Sequence, residues 1–162
     1  MRAAKRLGEE SASEARVTEA VLEWSRRTVD WPPLPMPRAG ERHYTPLTST
    51  HDLEVWLIAW GSGSRIEWHD HDGRRGALFV VRGVLLEQTA VRYGARWRLE
   101  GSRGLLAGDL RIVDPRQVHR IANEQTTVAL TLHAYDGSTR DMLFHDVAVE
   151  GPRHSCAAQA CH

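Results

Sequence analysis

Three histidines and one tyrosine sit at spacings able to carry chemistry in this chain of 162 residues. His69 and His71 flank Asp70 in Glu67-Trp-His-Asp-His-Asp72, and alternation along a β-strand puts both rings on one face, where they can reach a single metal ion. The same alternation turns Asp70 and Asp72 to the opposite face and leaves Glu67 as the carboxylate sharing the histidine face. A third histidine, His119, follows Asp114 and Pro115 in the segment His119-Arg-Ile-Ala-Asn123. Further on, Thr131, His133 and Tyr135 alternate, so a hydroxyl, an imidazole and a phenol share one strand face and can form a hydrogen-bonded chain. A His-x-His segment alone is also compatible with a plain surface turn. The flanking glycines and the distant His119 argue instead for a metal centre, whose ligands on one side leave coordination positions open to incoming molecules.

Such side chains need a scaffold of short strands, and the pattern supplies one. Val17, Val21 and Trp24, with Ala20 beside them, recur at helical spacing and predict an amphipathic helix from about Ser13 to Val29, after a frayed polar stretch over 1–12. Trp31-Pro-Pro-Leu-Pro-Met-Pro-Arg38 ends it, because prolines at that density cannot continue a helix. Beyond Tyr44 come β-rich runs at Leu53 to Trp60, Arg65 to His71, Ala77 to Val81, Val84 to Tyr93 and Arg96 to Leu99. Further runs cover Asp109 to Val113, Val118 to Ala122, Thr126 to Tyr135 and Met142 to Val149, with glycines as punctuation. Many short strands so spaced predict an all-β antiparallel barrel or jelly roll. The expected organisation is a helix and proline-rich connector over 1–40, a barrel over 41–150 and a disordered tail over 151–162, one domain overall.

Composition excludes several classes. Twenty-one basic residues balance twenty-one acidic ones, so no electrostatic footprint points to nucleic acid or an anionic membrane. No apolar run reaches the ~20 residues of a membrane span, and the N-terminal stretch lacks an apolar leader core. Cys156 and Cys161 both lie near the C-terminus, so no disulfide framework supports a secreted fold. These features predict a soluble cytoplasmic protein, a monomer or a small homo-oligomer. His154, Cys156, Cys161 and His162 offer four further donors in the tail, a weaker signal than a metal centre built on strands.

The spacing resembles the first cupin motif: Gly63, five residues, His69-x-His71, then Gly83, with Gly76 where that motif usually places a glutamate ligand. The second motif is partly kept, in Gly108 and His119-x-x-x-Asn123, with Pro115 displaced by one residue and Arg116 in place of a glycine. More specifically, the region from about 41 to 146 resembles the type I cysteine dioxygenase family of thiol dioxygenases. The elements that carry the resemblance are His69-Asp70-His71, His119-Arg120 and Thr131-Leu-His133-Ala-Tyr135, with threonine where the family has serine. The resemblance implies a cupin barrel (a double-stranded β-helix) and Fe(II) held by His69, His71 and His119. It also implies a relay in which Tyr135 lies above the iron, His133 orients Tyr135, and Thr131 fixes the tautomer of His133. Three neutral imidazoles leave the ion its full double charge, which favours an anionic thiolate ligand. The implied reaction adds both atoms of dioxygen to the sulfur of a small thiol and yields a sulfinate.

Two departures refine this expectation. Members with a cysteine at the Gly76 position cross-link it to the relay tyrosine, so glycine implies an unmodified Tyr135. The family also holds the substrate carboxylate with an arginine two residues after a tyrosine. Here the segment is Tyr44-Thr45-Pro46, and proline has neither charge nor donor. Tyr44, Arg42, Trp60 and Arg120 become the candidate substrate contacts; Arg74 and Arg75 are further cations nearby, and any of these arginines can equally be a surface residue. Trp56, Trp60 and Trp68 either shape an apolar pocket or pack in the core. The substrate is then cysteine or a mercapto acid. A cupin that uses its metal as a Lewis acid, as an isomerase or hydrolase does, is the alternative, as is a small-molecule-binding cupin without turnover.

Overall fold

A computed structural model describes residues 2–137 and 142–148, with the side chains of residues 2–7 left aside. Helix α1 (Arg2–Arg26) and a 3-10 turn (Thr28–Asp30) precede ten strands. These are β1 (Arg42–Ser49), β2 (Leu53–Trp60), β3 (Arg65–Asp70), β4 (Gly76–Arg82), β5 (Val84–Tyr93), β6 (Arg96–Leu106), β7 (Leu110–Val113), β8 (Val118–Ala122), β9 (Ala129–Asp136) and β10 (Leu143–Phe144). They form two five-stranded sheets with every pairing antiparallel, one in the order β1-β2-β9-β4-β7 and the other β10-β3-β8-β5-β6. This is the all-β jelly roll expected from the strand spacing.

Apolar side chains from both sheets meet between them. Ile58, Trp60, Leu78, Val80 and Ala129 come from the first sheet and Ile66, Leu85, Leu105 and Ile121 from the second, all buried in one cluster. Each leucine, isoleucine or valine of this cluster adds about 1.5–3 kcal/mol of burial. The outer face of the first sheet is covered by α1. Val17, Ala20 and Val21, spaced to form one helical stripe, pack on Val55, Leu57, Ala77, Leu132 and Ala134. Ser13 and Arg16 of α1 both bond the carboxylate of Asp136, at the end of β9, which ties the helix to the strand that carries the relay.

Several boundaries differ from the sequence expectation. The helix begins at Arg2 rather than near Ser13; its first turns are rich in helix formers but carry no apolar stripe to reveal them. Pro46 hides strand β1 from a pattern-based reading, yet is tolerated because β1 is an edge strand, with a register shift between Pro46 and Thr48. Strand β6 runs through Gly101 and Gly104 to Leu106, and the run expected from Met142 yields only the short β10. The tail and its four candidate donors lie outside the described residues.

Candidate metal centre

The three histidines come together inside the end of the barrel. His69 ends the inner row of β3, His71 sits in the turn just after it, and His119 lies on β8 directly across from His69. All are buried, and their candidate ligand atoms lie within 4.8 Å of one another. Their arrival on one face depends on a bulge. Ile66 pairs with Ile121 and His69 with His119, so three steps along β3 match two along β8. Glu67 and Trp68 therefore share one partner position, and alternation is reset between Ile66 and His69. Glu67 ends up exposed, paired with Arg65 at 2.6 Å. This corrects the expectation that Glu67 shares the histidine face, which holds only for an unbroken strand.

Hydrogen bonding fixes which nitrogens are free. His69 Nδ1–H donates to the Glu67 carbonyl (2.7 Å), and His119 Nδ1–H donates to the Glu87 carboxylate (3.0 Å). Both acceptors lack a proton to give, so each ring keeps its Nε2 lone pair for a metal. His71 Nε2 lies 3.2 Å from His119 Nε2. Two nitrogens each ~2.1 Å from one ion and at right angles sit about 3 Å apart, so this donor set fits a single metal. Burial, then the neighbouring imidazoles, lowers His69 to about 3 and His71 to about 2. Both are neutral and ready to ligate at neutral pH.

The aspartate between the ligands works on the turn. Asp70 accepts the Asp72 backbone N–H at 2.8 Å and the His145 ring at 2.7 Å, while Asp72 takes a positive φ of 51° beside Gly73. This turn places His71 after the strand has ended. Asp70 thus faces away from the histidines, as alternation required.

Glu87 is the residue that sequence reasoning passed over. It lies on β5 at 1% exposure, and besides His119 it accepts from Arg111 Nε (2.8 Å), with Arg103 at 3.6 Å. Burial would raise its pKa, but the hydrogen bonds from His119 and Arg111 outweigh that and hold the carboxyl below its ordinary value. A carboxylate absent from the ligand position at Gly76 is therefore present one residue behind a ligand, with its charge offset by two arginines. Alternation signals only its burial, since Glu87 stands two residues after Leu85 on the face that β5 buries; the link to His119 comes from the pairing of β5 with β8.

Facing this cluster from the other sheet, β9 presents Thr131, His133 and Tyr135 inward, all buried. Tyr135 packs against His71 with ring centroids 4.6 Å apart, across from Gly76 in the register. A Cβ at Gly76 would stand 3.0 Å from Cδ1 and Cε1 of Tyr135, so glycine leaves the ring its room. Trp60 joins this row rather than lining a pocket. Its Nε1–H donates to Thr131 Oγ1 (2.8 Å), Thr131 Oγ1 meets His133 Nε2 (2.9 Å), and His133 Nδ1 meets the Tyr135 hydroxyl (3.0 Å). An indole can only donate, so Thr131 accepts from Trp60 and, buried without another acceptor among the described residues, gives its own proton to Nε2. His133 then carries its proton on Nδ1 and donates it to the Tyr135 oxygen. The Tyr135 proton is left free for another acceptor, on a ring that packs against His71. Burial lowers His133 to about 3 and raises Tyr135, so the imidazole is neutral and the phenol protonated.

The remaining candidates separate clearly. Arg42 and Tyr44 lie on the inner face of β1, the Arg42 guanidinium 5.6 Å from the Tyr44 ring and 5.8 Å from that of Trp60. Arg120 is not brought to the centre. Neighbouring His119 on β8, it points to the opposite face, bonded to Gln88 and 5.1 Å over Trp68. Asn123, in the partly kept second motif, is buried and donates to the carbonyls of Trp60 and Thr127, which joins the ends of β2, β8 and β9.

A two-sheet barrel with His69 and His119 inward on one sheet and His71 in the turn beside them defines the class: a cupin with a candidate metal centre. The chain belongs to the cysteine dioxygenase type I family, whose model matches residues 47–142. Solved structures agree on the fold. A protein with a double-stranded β-helix domain from Klebsiella pneumoniae superposes with TM-score 0.57 at 20% identity, covering 68% of this chain and 84% of that one. The cupin domain of Cnp3 from Schizosaccharomyces pombe gives TM-score 0.53 at 9% identity, over 66% and 68% of the two chains. No curated protein sequence matches the chain. Among the described residues no helix is long and apolar enough to cross a membrane.

Proposed function

We propose that the chain is an iron-dependent thiol dioxygenase that converts a small thiol, cysteine or a mercapto acid, and dioxygen into the sulfinate. The observation that carries this reading is the gathering of three buried histidine donors beside the hydrogen-bonded Tyr135, in a chain of the cysteine dioxygenase type I family. When bound, Fe(II) supplies the place where thiolate and dioxygen meet and keeps the sulfur deprotonated. His69, His71 and His119 hold the ion and add no negative charge. Glu87 holds His119 in its ligating tautomer.

Tyr135 donates its hydroxyl proton to the reacting oxygen or sulfur, a contribution of about 100-fold or more when a side chain is so positioned. His133 keeps that hydroxyl in place, and Thr131, itself held by Trp60, keeps His133 in the tautomer that leaves the phenol proton free. The balance is simple: one thiol and one dioxygen give one sulfinic acid, with no reductant.

The test is oxygen uptake by the iron-loaded protein over a panel of cysteine, cysteamine, 3-mercaptopropionate and mercaptosuccinate. The expected result is one sulfinate formed per dioxygen consumed with at least one thiol. An iron-loaded protein that consumes no oxygen with any of them overturns the reading.

A further inference from the structure

We propose that His145 is a positioning residue of the metal centre: acting through Asp70, it holds the turn that carries His71 in the arrangement that binds the ion. The inference rests on the three histidines as ligands, and it stands whether or not the bound ion oxidises thiols.

His145 directly follows β10 and lies 75 residues beyond Asp70 in the chain. Its Nε2–H donates to Asp70 Oδ2 at 2.7 Å, since an ionised carboxylate can only accept. The other oxygen, Oδ1, accepts the Asp72 backbone N–H at 2.8 Å, and this bond closes the turn around His71. With Oδ1 alone engaged, the carboxylate would be tied only to its own turn. The bond from His145 refers that turn to a neighbouring strand.

His145 is anchored in its own right. Its backbone N–H donates to the Trp68 carbonyl at 2.8 Å, which extends the pairing of β10 with β3 beyond Phe144 and His69. Its ring lies 5.3 Å from that of Trp97 on β6. Two residues on, Val147 is buried in one cluster with Trp68, Ala90 and Val118. Alternation agrees with this placement. Leu143 pairs with Asp70, so His145 shares the Asp70 face, while Phe144 stands beside His69 with ring centroids 6.0 Å apart. One segment therefore abuts one ligand and braces the turn of another.

Two other histidine–carboxylate pairs lack this reach. His51 meets its own neighbour Asp52 with its side chain 93% exposed, and His43 lies 3.9 Å from Glu41. The His145 and Asp70 side chains are 25% and 19% exposed, so their bond is largely shielded from water. A turn that holds the binding arrangement only part of the time lowers metal affinity by that fraction. The brace keeps the fraction high.

The experiment measures Co(II) affinity of the full chain at neutral pH by competition with a coloured chelator. The variants are His145→Phe, His145→Gln, Asp70→Ala and the double variant His145→Phe with Asp70→Ala; urea transitions of the metal-free proteins show that each folds. Phenylalanine keeps a ring beside Trp97 and removes the donor, whereas glutamine keeps an N–H. His145→Phe is expected to weaken Co(II) about 5- to 20-fold, and His145→Gln to recover part of the loss. In the Asp70→Ala background His145→Phe should cost less than about twofold more, because its effect passes through Asp70. Two losses that multiply in the double variant, or a His145→Phe affinity within about twofold of wild type, overturn the role of His145. A wild-type chain that binds no Co(II) overturns it together with the metal centre. A chain that shows the expected dependence but, loaded with iron, consumes no oxygen with any thiol leaves His145 in its role and overturns only the dioxygenase reading.

Discussion

Replacing Glu87 with glutamine changes one oxygen to nitrogen and is expected to weaken metal binding about 10- to 100-fold. Two donors converge on Glu87: His119 Nδ1–H at 3.0 Å and Arg111 Nε–H at 2.8 Å, on different oxygens. A carboxylate accepts at both ends, whereas an amide has one acceptor and one donor group. Glutamine must therefore turn its NH2 toward either His119 or Arg111. If His119 loses its acceptor, its ring is no longer held in the tautomer that frees Nε2. If Arg111 loses its acceptor, the negative charge that makes the His119 bond a strong one is still gone. Both outcomes lower the basicity and order of one ligand, a loss of roughly 1.4–2.7 kcal/mol in binding free energy. Competition between the protein and a coloured chelator for Co(II) or anaerobic Fe(II) at about pH 7 measures this directly. A urea transition on the metal-free variant shows that it still folds. An affinity within about twofold of wild type in a folded variant would refute the role given to Glu87.

Further outcomes follow from the same geometry. Trp60→Phe removes the donor that commits Thr131 to His133; nitrogen-15 shifts of the metal-free protein should show the His133 proton moving from Nδ1 toward Nε2, with oxidation slowed about 5- to 10-fold. An unchanged tautomer would sever the link from Trp60 to Tyr135. Tyr135→Phe should lower thiol oxidation about 100-fold or more while iron content, measured by metal analysis, stays at wild-type level. Gly76→Cys brings a thiol against the Tyr135 ring, since even its Cβ would lie 3.0 Å from Cε1; after turnover, peptide mass mapping should find the introduced sulfur joined to Tyr135 in a thioether lacking two hydrogens, and only unlinked peptides would count against the close approach of β4 and β9 at this position. The metal-free protein should lose stability on acidification. Burial holds His69 at about 3, His71 at about 2 and His133 at about 3 in the folded state, below the ~6.5 of an unfolded chain. Between those values the unfolded chain binds more protons, so stability is complete above about pH 7 and falls toward pH 5, by up to ~1.4 kcal/mol per pH unit for each ring. Urea midpoints that do not change over that range would show that these rings are not held neutral.

Alternation made much of the centre legible. Thr131, His133 and Tyr135 lie on an unbroken strand, so their shared face followed from spacing alone, whereas His69 ends its strand and His71 is placed by the turn after it. Glu67 did not, because a bulge leaves no mark in composition and flips everything on one side of it. Glu87 was hidden for a different reason: its value depends on β5 lying beside β8, a pairing that strand periodicity does not reveal. Trp60 shows the same limit, since its bond to Thr131 spans 71 residues. The first half of α1 escaped because it has no periodic apolar signal. For Glu67, Glu87 and Trp60 the invisible part is a relation between elements, while the visible part is a pattern within one.

His69 and His119 belong to one sheet, with His71 in the turn after it, and the hydrogen-bonded chain to the other, so no backbone hydrogen bond ladder sets the gap between them. That gap is gauged by the side chains wedged between the sheets, Leu85, Leu105 and Ile121 against Ile58, Leu78 and Val80. Close-packed interiors transmit such thickness with little slack. The distance from Tyr135 to the histidines is thus a property of remote filler, and trimming a single buried methyl far from them is expected to shift that distance without touching any of the three histidines. Metal retention and reactivity become separately adjustable, each by residues on a different wall of the barrel.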